Sequence, residues 1–295
     1  MFLKFSKSLS YKNLETNSCH RLKKLTRLVF FTGLIFLFSG LDFETEAGTW
    51  RFASPQKRLF QPLLADPTET QFAITTNFVN RLNGDIGGSW EAFDYEGNQN
   101  VRLRFRTGIH AGVFSQLRWS GTFFPLETSD YIIGFHADLA TNQFSGRFEY
   151  EHLSAHLVDG HDDPSQAFTY SREYFTIYGD YKIGLNQSTT RIYSSLQWSN
   201  HAIPNIRRWQ AQFGAELISY PLKILNARPY LAYDIRLFRN KGLVANSTAH
   251  IGMMLRNEES RGLRIALVLH LGRSEHGQFH QMEDNYLGLG MFFEL

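Results

Sequence analysis

The chain has 295 residues, with 30 Lys and Arg against 28 Asp and Glu, a single cysteine and 15% aromatic residues. That cysteine, Cys19, lies close to the N-terminus, so the rest of the chain can form no disulfide, thiol nucleophile or thiolate metal site. The near-neutral balance excludes a strongly basic nucleic-acid binder, and neither a phosphate loop nor a dinucleotide fingerprint is present.

Residues 1–27 carry Lys4, Lys7, Lys12, Arg21, Lys23, Lys24 and Arg27 against Glu15. Leu28 to Leu41 is then apolar apart from Thr32 and Ser39, too short for a membrane-spanning helix, which takes about 20 apolar residues. A basic segment, a short apolar run and a small-residue site read as a secretory signal peptide, with Thr45 and Ala47 placing cleavage after Ala47. An N-terminal anchor helix is the alternative. Removing 1–47 also removes the acids Asp42, Glu44 and Glu46, and turns the chain's +2 into −1 over 48–295. The basic character therefore belongs to the signal. Residues 48–69 read as an irregular segment containing Phe60-Gln61-Pro62-Leu63-Leu64-Ala65-Asp66-Pro67, expected to stand before the barrel in the periplasm.

From residue 70 onward the pattern is period-2 alternation broken by short polar turns, which predicts strands. Twelve are expected, at 70–80, 88–96, 100–116, 130–140, 144–157, 172–185, 189–200, 207–220, 229–239, 245–256, 262–273 and 284–295. In the third, Val101, Leu103, Phe105, Ile109 and Val113 oppose Arg102, Arg104 and Arg106. In the eleventh, Leu263, Ile265, Leu267, Leu269 and Leu271 oppose Arg264 and His270. A charge on a lipid face costs about 2–4 kcal/mol at the bilayer midplane, so the charged faces are assigned to a lumen. The inward set is Arg102, Arg104, Arg106, Arg147, Lys182, Arg236 and Arg264 against Asp138, Glu149, Glu151, Asp180, Glu216 and Asp234, nearly balanced. Such a set suits a plugged barrel or a small pore. Turns alternate between short ones on one side and longer ones on the other, around 81–87, 117–129, 158–171, 201–206, 240–244 and 274–283, the outer-membrane pattern. The chain closes on Leu287, Leu289, Met291, Phe293 and Leu295 on one face, with Tyr286, Gly288, Gly290, Phe292 and Glu294 on the other. That ending resembles the closing strand read by the barrel-assembly machinery, although the usual terminal aromatic is replaced by Leu295. The expected class is all-β: a transmembrane antiparallel up-and-down β-barrel of about 12 strands over 70–295, in the bacterial outer membrane.

Phe60 to Pro67, Tyr150-Glu151-His152-Leu153-Ser154-Ala155-His156-Leu157-Val158-Asp159 and Tyr170-Ser171-Arg172-Glu173-Tyr174 resemble the marks of an uncharacterised bacterial family, domain of unknown function 1207. The resemblance covers most of the mature chain. Ala155 and Val158 depart from the family's Ser-Ser-His-Leu-Gly-Asp wording. The family implies an outer-membrane barrel and no particular activity.

One constellation suggests chemistry. With Arg147, Glu149 and Glu151 inward, parity turns His152, Ser154 and His156 outward, and Glu173 joins them from the next strand. A serine, a histidine to take its proton and a carboxylate to orient the histidine make a nucleophilic set for ester cleavage. The His-x-Ser spacing is similar to that of outer-membrane lipid A 3-O-deacylases, without the Asn that follows their serine. A simple register puts Glu173 nearer His156 than His152, and either histidine can serve as base. The alternative is a polar rim that binds water, sugar or its own members and holds the Asp159–Ser171 loop. His156, Asp159, His161, Asp162 and Asp163 cluster in one loop and His270, Glu275, His276, His280, Glu283 and Asp284 around another, without a recognised metal-ligand spacing. No cofactor or metal is expected. The sequence thus reads as a structural, adhesive or small-pore barrel with outer-membrane lipids as neighbours, and leaves an outer-leaflet lipid esterase as the alternative.

Overall fold

The computed structural model describes residues 42–45, 48–52, 58–98, 102–185, 187–222, 227–239, 242–256 and 262–294. Residues 1–47, expected as a signal peptide, fall outside these residues apart from 42–45, and so does Leu295.

Among the described residues, fourteen strands form one antiparallel sheet: β1 (Asp42–Thr45), β2 (Gly48–Phe52), β3 (Phe72–Asn77), β4 (Arg81–Gly97), β5 (Arg104–Arg118), β6 (Leu126–Ala140), β7 (Phe144–Leu157), β8 (Tyr170–Leu185), β9 (Ser188–Ile203), β10 (Trp209–Ser219), β11 (Ala227–Arg239), β12 (Leu243–Arg256), β13 (Gly262–Leu271) and β14 (Tyr286–Glu294). β3 to β14 pair in sequence order, and β14 returns to β3 through Gly288↔Asn77 to Phe293↔Phe72. The result is a closed twelve-stranded up-and-down barrel, in which β3 and β14, the two ends of the run, pair with each other. The β1–β2 hairpin is an addition outside it: β2 pairs with the end of β4 through Gly48↔Gly97 to Phe52↔Phe93.

Alternation along the strands decides what the wall shows to each side. Ile133, Ile177, Leu196 and Ile251 point outward, each more than half exposed. Arg106, Arg147, Asp138, Asp180, Glu216, Asp234, Arg236 and Arg264 point inward and are buried. Two expected members depart. Arg102 precedes β5, in a positive-φ turn conformation, and Arg104 at the strand's start is exposed. Leu287, Leu289 and Met291 are exposed while Phe292 is buried, so the closing strand keeps the expected parity. The turns at the end where β14 finishes, such as 141–143 and 186–187, are short; 158–169 and 272–285 at the opposite end are long.

The first hairpin differs from expectation. Residues 81–87, expected as a loop, open β4, and the turn shrinks to 78–80. In the barrel, Gly87 faces inward where a Cβ would lie 2.6 Å from Thr70 Cγ2 and 3.1 Å from the Ala111 carbonyl. The glycine lets another segment approach the wall.

Candidate functional site

That other segment is 58–71. Residues 48–69 are expected as a periplasmic lead-in, but 58–71 lies inside the barrel, with Phe60, Leu63, Leu64, Ala65 and Asp66 buried. An irregular chain inside a protein must find partners for its own N–H and C=O groups, and here the wall's charged side chains supply them. The Phe60 N–H donates to Asp138 Oδ2 at 3.1 Å, and the Leu64 N–H to Glu216 Oε1 at 2.8 Å. Arg191 donates to the carbonyls of Gln61 at 2.8 Å and Pro62 at 3.0 Å; Arg264 donates to that of Leu64 at 3.2 Å. The Phe60 ring sits between two guanidiniums, Arg147 at 5.1 Å and Arg191 at 4.8 Å from its centre. Asp66 accepts from Arg236 and from Gln212 Nε2. The inward charges read from the sequence therefore grip a plug as well as one another.

Wall-to-wall pairs complete the set: Arg106–Asp94 at 2.6 Å, Arg147–Asp138 at 2.6 Å and Arg191–Asp180 at 2.7 Å. Glu91, His136, His110 and Glu151 form a chain across β4 to β7, with contacts of 3.0, 3.4 and 2.8 Å. Gly134 makes room for it, since a Cβ there would come within 2.8 Å of His110 Nε2. His110, His136 and Arg191 are not singled out in the sequence, and Arg172 enters there only as part of a family-like motif. Strand parity gives the inward face of each.

The long-loop mouth is covered by 272–285, which contains a 3-10 turn at Gly277–Phe279. The Gly277 N–H donates to Asp130 Oδ2 at 2.7 Å, and Gln278 Nε2 to the carbonyls of Ala155 and Phe168 at 2.8 Å each. Glu275 reaches Arg207 at 3.5 Å and Arg236 at 3.7 Å. Burial pushes the Glu275 carboxyl up, but these two guanidiniums outweigh it and hold the group at about 2. Burial pushes His276 down to about 4 and also lowers His280. Between plug and cap lies a cavity of about 120 Å³, with polar residues of both charges on its wall.

The outer rim carries the residues considered for ester cleavage. His152, Ser154 and His156 turn outward from β7, and Glu173 from β8. The register corrects the expected neighbour: Glu173 is paired with His152, and Ser154 with Ser171. His152 Nδ1 lies 3.6 Å from Glu173 Oε1, and the Tyr150 hydroxyl donates to Glu173 Oε2 at 3.2 Å. His156 packs edge-on to Tyr131, with ring centres 5.8 Å apart. Among the described residues no hydrogen bond joins Ser154 Oγ to either histidine, while His152 stands beside Glu173. On the other side of Glu173 lies His201, its partner on β9 beside a register shift. A shift of this kind is invisible to strict alternation.

Two of the loop residues weighed as metal ligands have other partners. Asp162 pairs with Arg118 at 2.7 Å, and Asp163 caps the 3-10 turn by accepting from the Ser165 N–H at 3.0 Å. Among the described residues no group of three His, Cys, Asp or Glu is placed to hold a metal ion.

Among solved structures, the β-domain of the Bordetella autotransporter BrkA is similar, with a TM-score of 0.45 and 9% identity, covering 76% of this chain and 95% of that one. No curated protein matches the chain. A family model, described as a protein of unknown function, matches residues 50–295. With its matched span covering both the plug and the whole barrel, the chain belongs to the DUF1207 family.

Proposed function

We propose that this protein is an outer-membrane barrel that keeps its lumen shut: a plugged envelope barrel, not an open diffusion pore. One observation carries the reading. Residues 58–71 fill the lumen with their backbone groups bound to Asp138, Arg191, Glu216 and Arg264, while 272–285 covers the far mouth. A twelve-stranded barrel is wide enough to need such filling, since about eight strands are filled by side chains alone and sixteen leave a channel.

The outer-membrane assignment rests on the outside of the wall. A continuous apolar belt around a closed barrel exceeds the few hundred Å² of apolar patch that water tolerates on a monomer, so lipid covers it. Phe135, Tyr150, Phe175, Trp198 and Trp209 follow one another from β6 to β10 in cross-strand register, and form part of an aromatic girdle. His152, Glu173 and His201 lie one step beyond it, at headgroup depth. The end of β14 and the start of β3 then face the periplasm, and the long loops face outward. The barrel-assembly machinery is the partner for β14, and outer-membrane lipids are the neighbours of the belt.

The test is conductance of the full-length protein in planar bilayers, beside membrane fractionation. The expected result is outer-membrane fractionation with heat-modifiable gel migration and closed traces, giving way to openings in Phe60→Ala/Leu63→Ala. Steady, large conductance from the unaltered protein defeats the plugged reading.

A further inference from the structure

Among the described residues, three charges that line one cavity, Arg172, Asp130 and Asp85, have no partner of opposite sign within hydrogen-bond distance. Arg172 on β8 is 5% exposed. It donates from Nη2 to Ser199 Oγ at 2.9 Å and to the Arg207 carbonyl at 3.1 Å, has no ion pair among the described residues, and its Nε has no partner. Asp130 on β6 is 3% exposed; its Oδ2 takes the Gly277 N–H, and its Oδ1 has none. The nearest basic nitrogen to Asp130 is His276 Nδ1, at 4.0 Å. Asp85 on β4 has neither an ion pair nor a side-chain hydrogen bond among the described residues. Asn83 Oδ1, two residues before it on the same inward face, is buried and without a partner, as is Arg207 Nε.

All five residues line the same cavity. The register orders them. Asp85, Phe114 and Asp130 are cross-strand partners in turn, and the row continues through Ala155 to Tyr170, next to Arg172 on the inward face of β8. The acceptors therefore sit on the β4–β6 side, and the free guanidinium edges on the β8 side. Tyr170, Tyr174 and Phe114 supply ring surface between them.

A buried charge without a partner is costly, and buried charges in proteins are normally paired. Here Asp85 and Asp130 on one side of the cavity and Arg172 on the other are unpaired, and no ion pair joins them among the described residues. A single anion leaves Asp85 and Asp130 uncompensated, and a single cation leaves Arg172 so. We propose that the cavity binds a compact zwitterion, with its ammonium group at Asp85, Asp130 and Asn83 Oδ1 and its carboxylate at Arg172 Nε and Arg207 Nε. The cavity's size admits a solute of amino-acid dimensions. The site is independent of whether the barrel conducts.

The experiment uses the full-length barrel refolded in detergent with each probe present, so that entry past plug and cap is not limiting. Saturation-transfer NMR and calorimetry are run with glycine, β-alanine and γ-aminobutyrate, which space the two charges progressively, and with acetate and methylammonium as single-charge controls. Saturable binding of at least one zwitterion is expected, at least about tenfold tighter than either control. Arg172→Gln and Asp130→Asn are each expected to weaken it by about tenfold or more, the scale of one lost charge-assisted hydrogen bond. Heat-modifiable migration checks folding, and Arg172→Lys or Asp85→Asn replaces any variant that fails it. Absence of saturable binding by all three zwitterions overturns the proposal, and water then solvates these groups. Acetate or methylammonium binding as tightly as the zwitterions overturns it in favour of a simple ion site. Variants that bind like the unaltered protein overturn the placement.

Discussion

The backbone N–H of Phe60 donates to Asp138 Oδ2 at 3.1 Å, and the same oxygen accepts Arg147 Nη2 at 2.9 Å. One carboxylate thus ties the plug to the wall and neutralises the guanidinium that stacks on the plug's ring. Asp138→Ala removes both attachments and leaves Arg147 buried with Glu149, at 3.3 Å, as its remaining ion-pair partner. Breaking a buried pair from one side costs about 3–5 kcal/mol. The expected phenotype is a loosened plug in a barrel that still assembles, seen as channel openings and faster protease cutting within 58–71. Closed traces and unchanged cutting in the variant would show that Asp138 does not hold the plug.

The approach of Thr70 to Gly87 gives a second, steric test. Gly87→Ala places a methyl 2.6 Å from Thr70 Cγ2, and overpacking of this kind costs about 1–3 kcal/mol. Thr70→Ser deletes the clashing methyl on the plug. The single variant should lose hydrogen-exchange protection at 58–71, and the double variant should recover more than half of it. Equal protection in single and double variants would place the strain in the wall, at the Ala111 carbonyl, and not on the plug.

What could be read in the sequence follows from what period 2 encodes. Alternation separates the faces of a strand, so Arg106, Arg147, Arg236 and Arg264 were assigned inward, and Leu287, Leu289 and Met291 outward, without any knowledge of neighbours. It says nothing about an irregular segment, and 58–71 therefore read as a lead-in. The signal for its true position was two-part: Phe60, Leu63 and Leu64 are core residues in a span without regular structure, and the lumen charges lacked an occupant. Register across a long loop was equally hidden. The 158–169 connection is not symmetric about its middle, which put Glu173 beside His152 and not His156. Residues 81–87 read as a loop, and the approach of Thr70 to Gly87 within them cannot be seen in the sequence.

The cap at 272–285 should respond to acid before the barrel does. His276 faces Asp130 at 4.0 Å, with Asp284, Glu275 and Arg81 also acting on it, and burial holds it at about 4 against an ordinary 6.5. Its folded value is depressed, so the closed loop binds fewer protons than the open loop between these values. The stabilisation is complete above pH 6.5 and is lost as pH falls toward 4. Burial lowers His280 in the same direction. Glu275, held at about 2 against 4.5, adds a second loss between pH 4.5 and 2. Amide exchange at 274–280 should therefore accelerate in two stages on acidification, and His276→Gln should flatten the first. A cap equally protected at pH 4.5 and 7 would contradict this account.

The barrel closes where Phe293 of β14 meets Phe72 of β3, the rings edge to face with centres 5.1 Å apart. This contact lies at the end of the closing strand, where a charge on the lipid side costs less than at midplane, about 0–1 kcal/mol. An aromatic pair adds about 0.5–1.5 kcal/mol beyond the area it buries. Phe293→Asp loses both, and disturbs the apolar face on which the last strand docks. Phe293→Leu keeps the apolar face and loses only the ring pair. In refolding into lipid vesicles, the heat-resistant folded fraction should fall in the order unaltered, Phe293→Leu, Phe293→Asp. A double-mutant cycle with Phe72→Leu isolates the ring contact. A coupling near zero in that cycle, with Phe293→Asp still impaired, would assign the effect to charge at the closing face and not to the Phe72 seam.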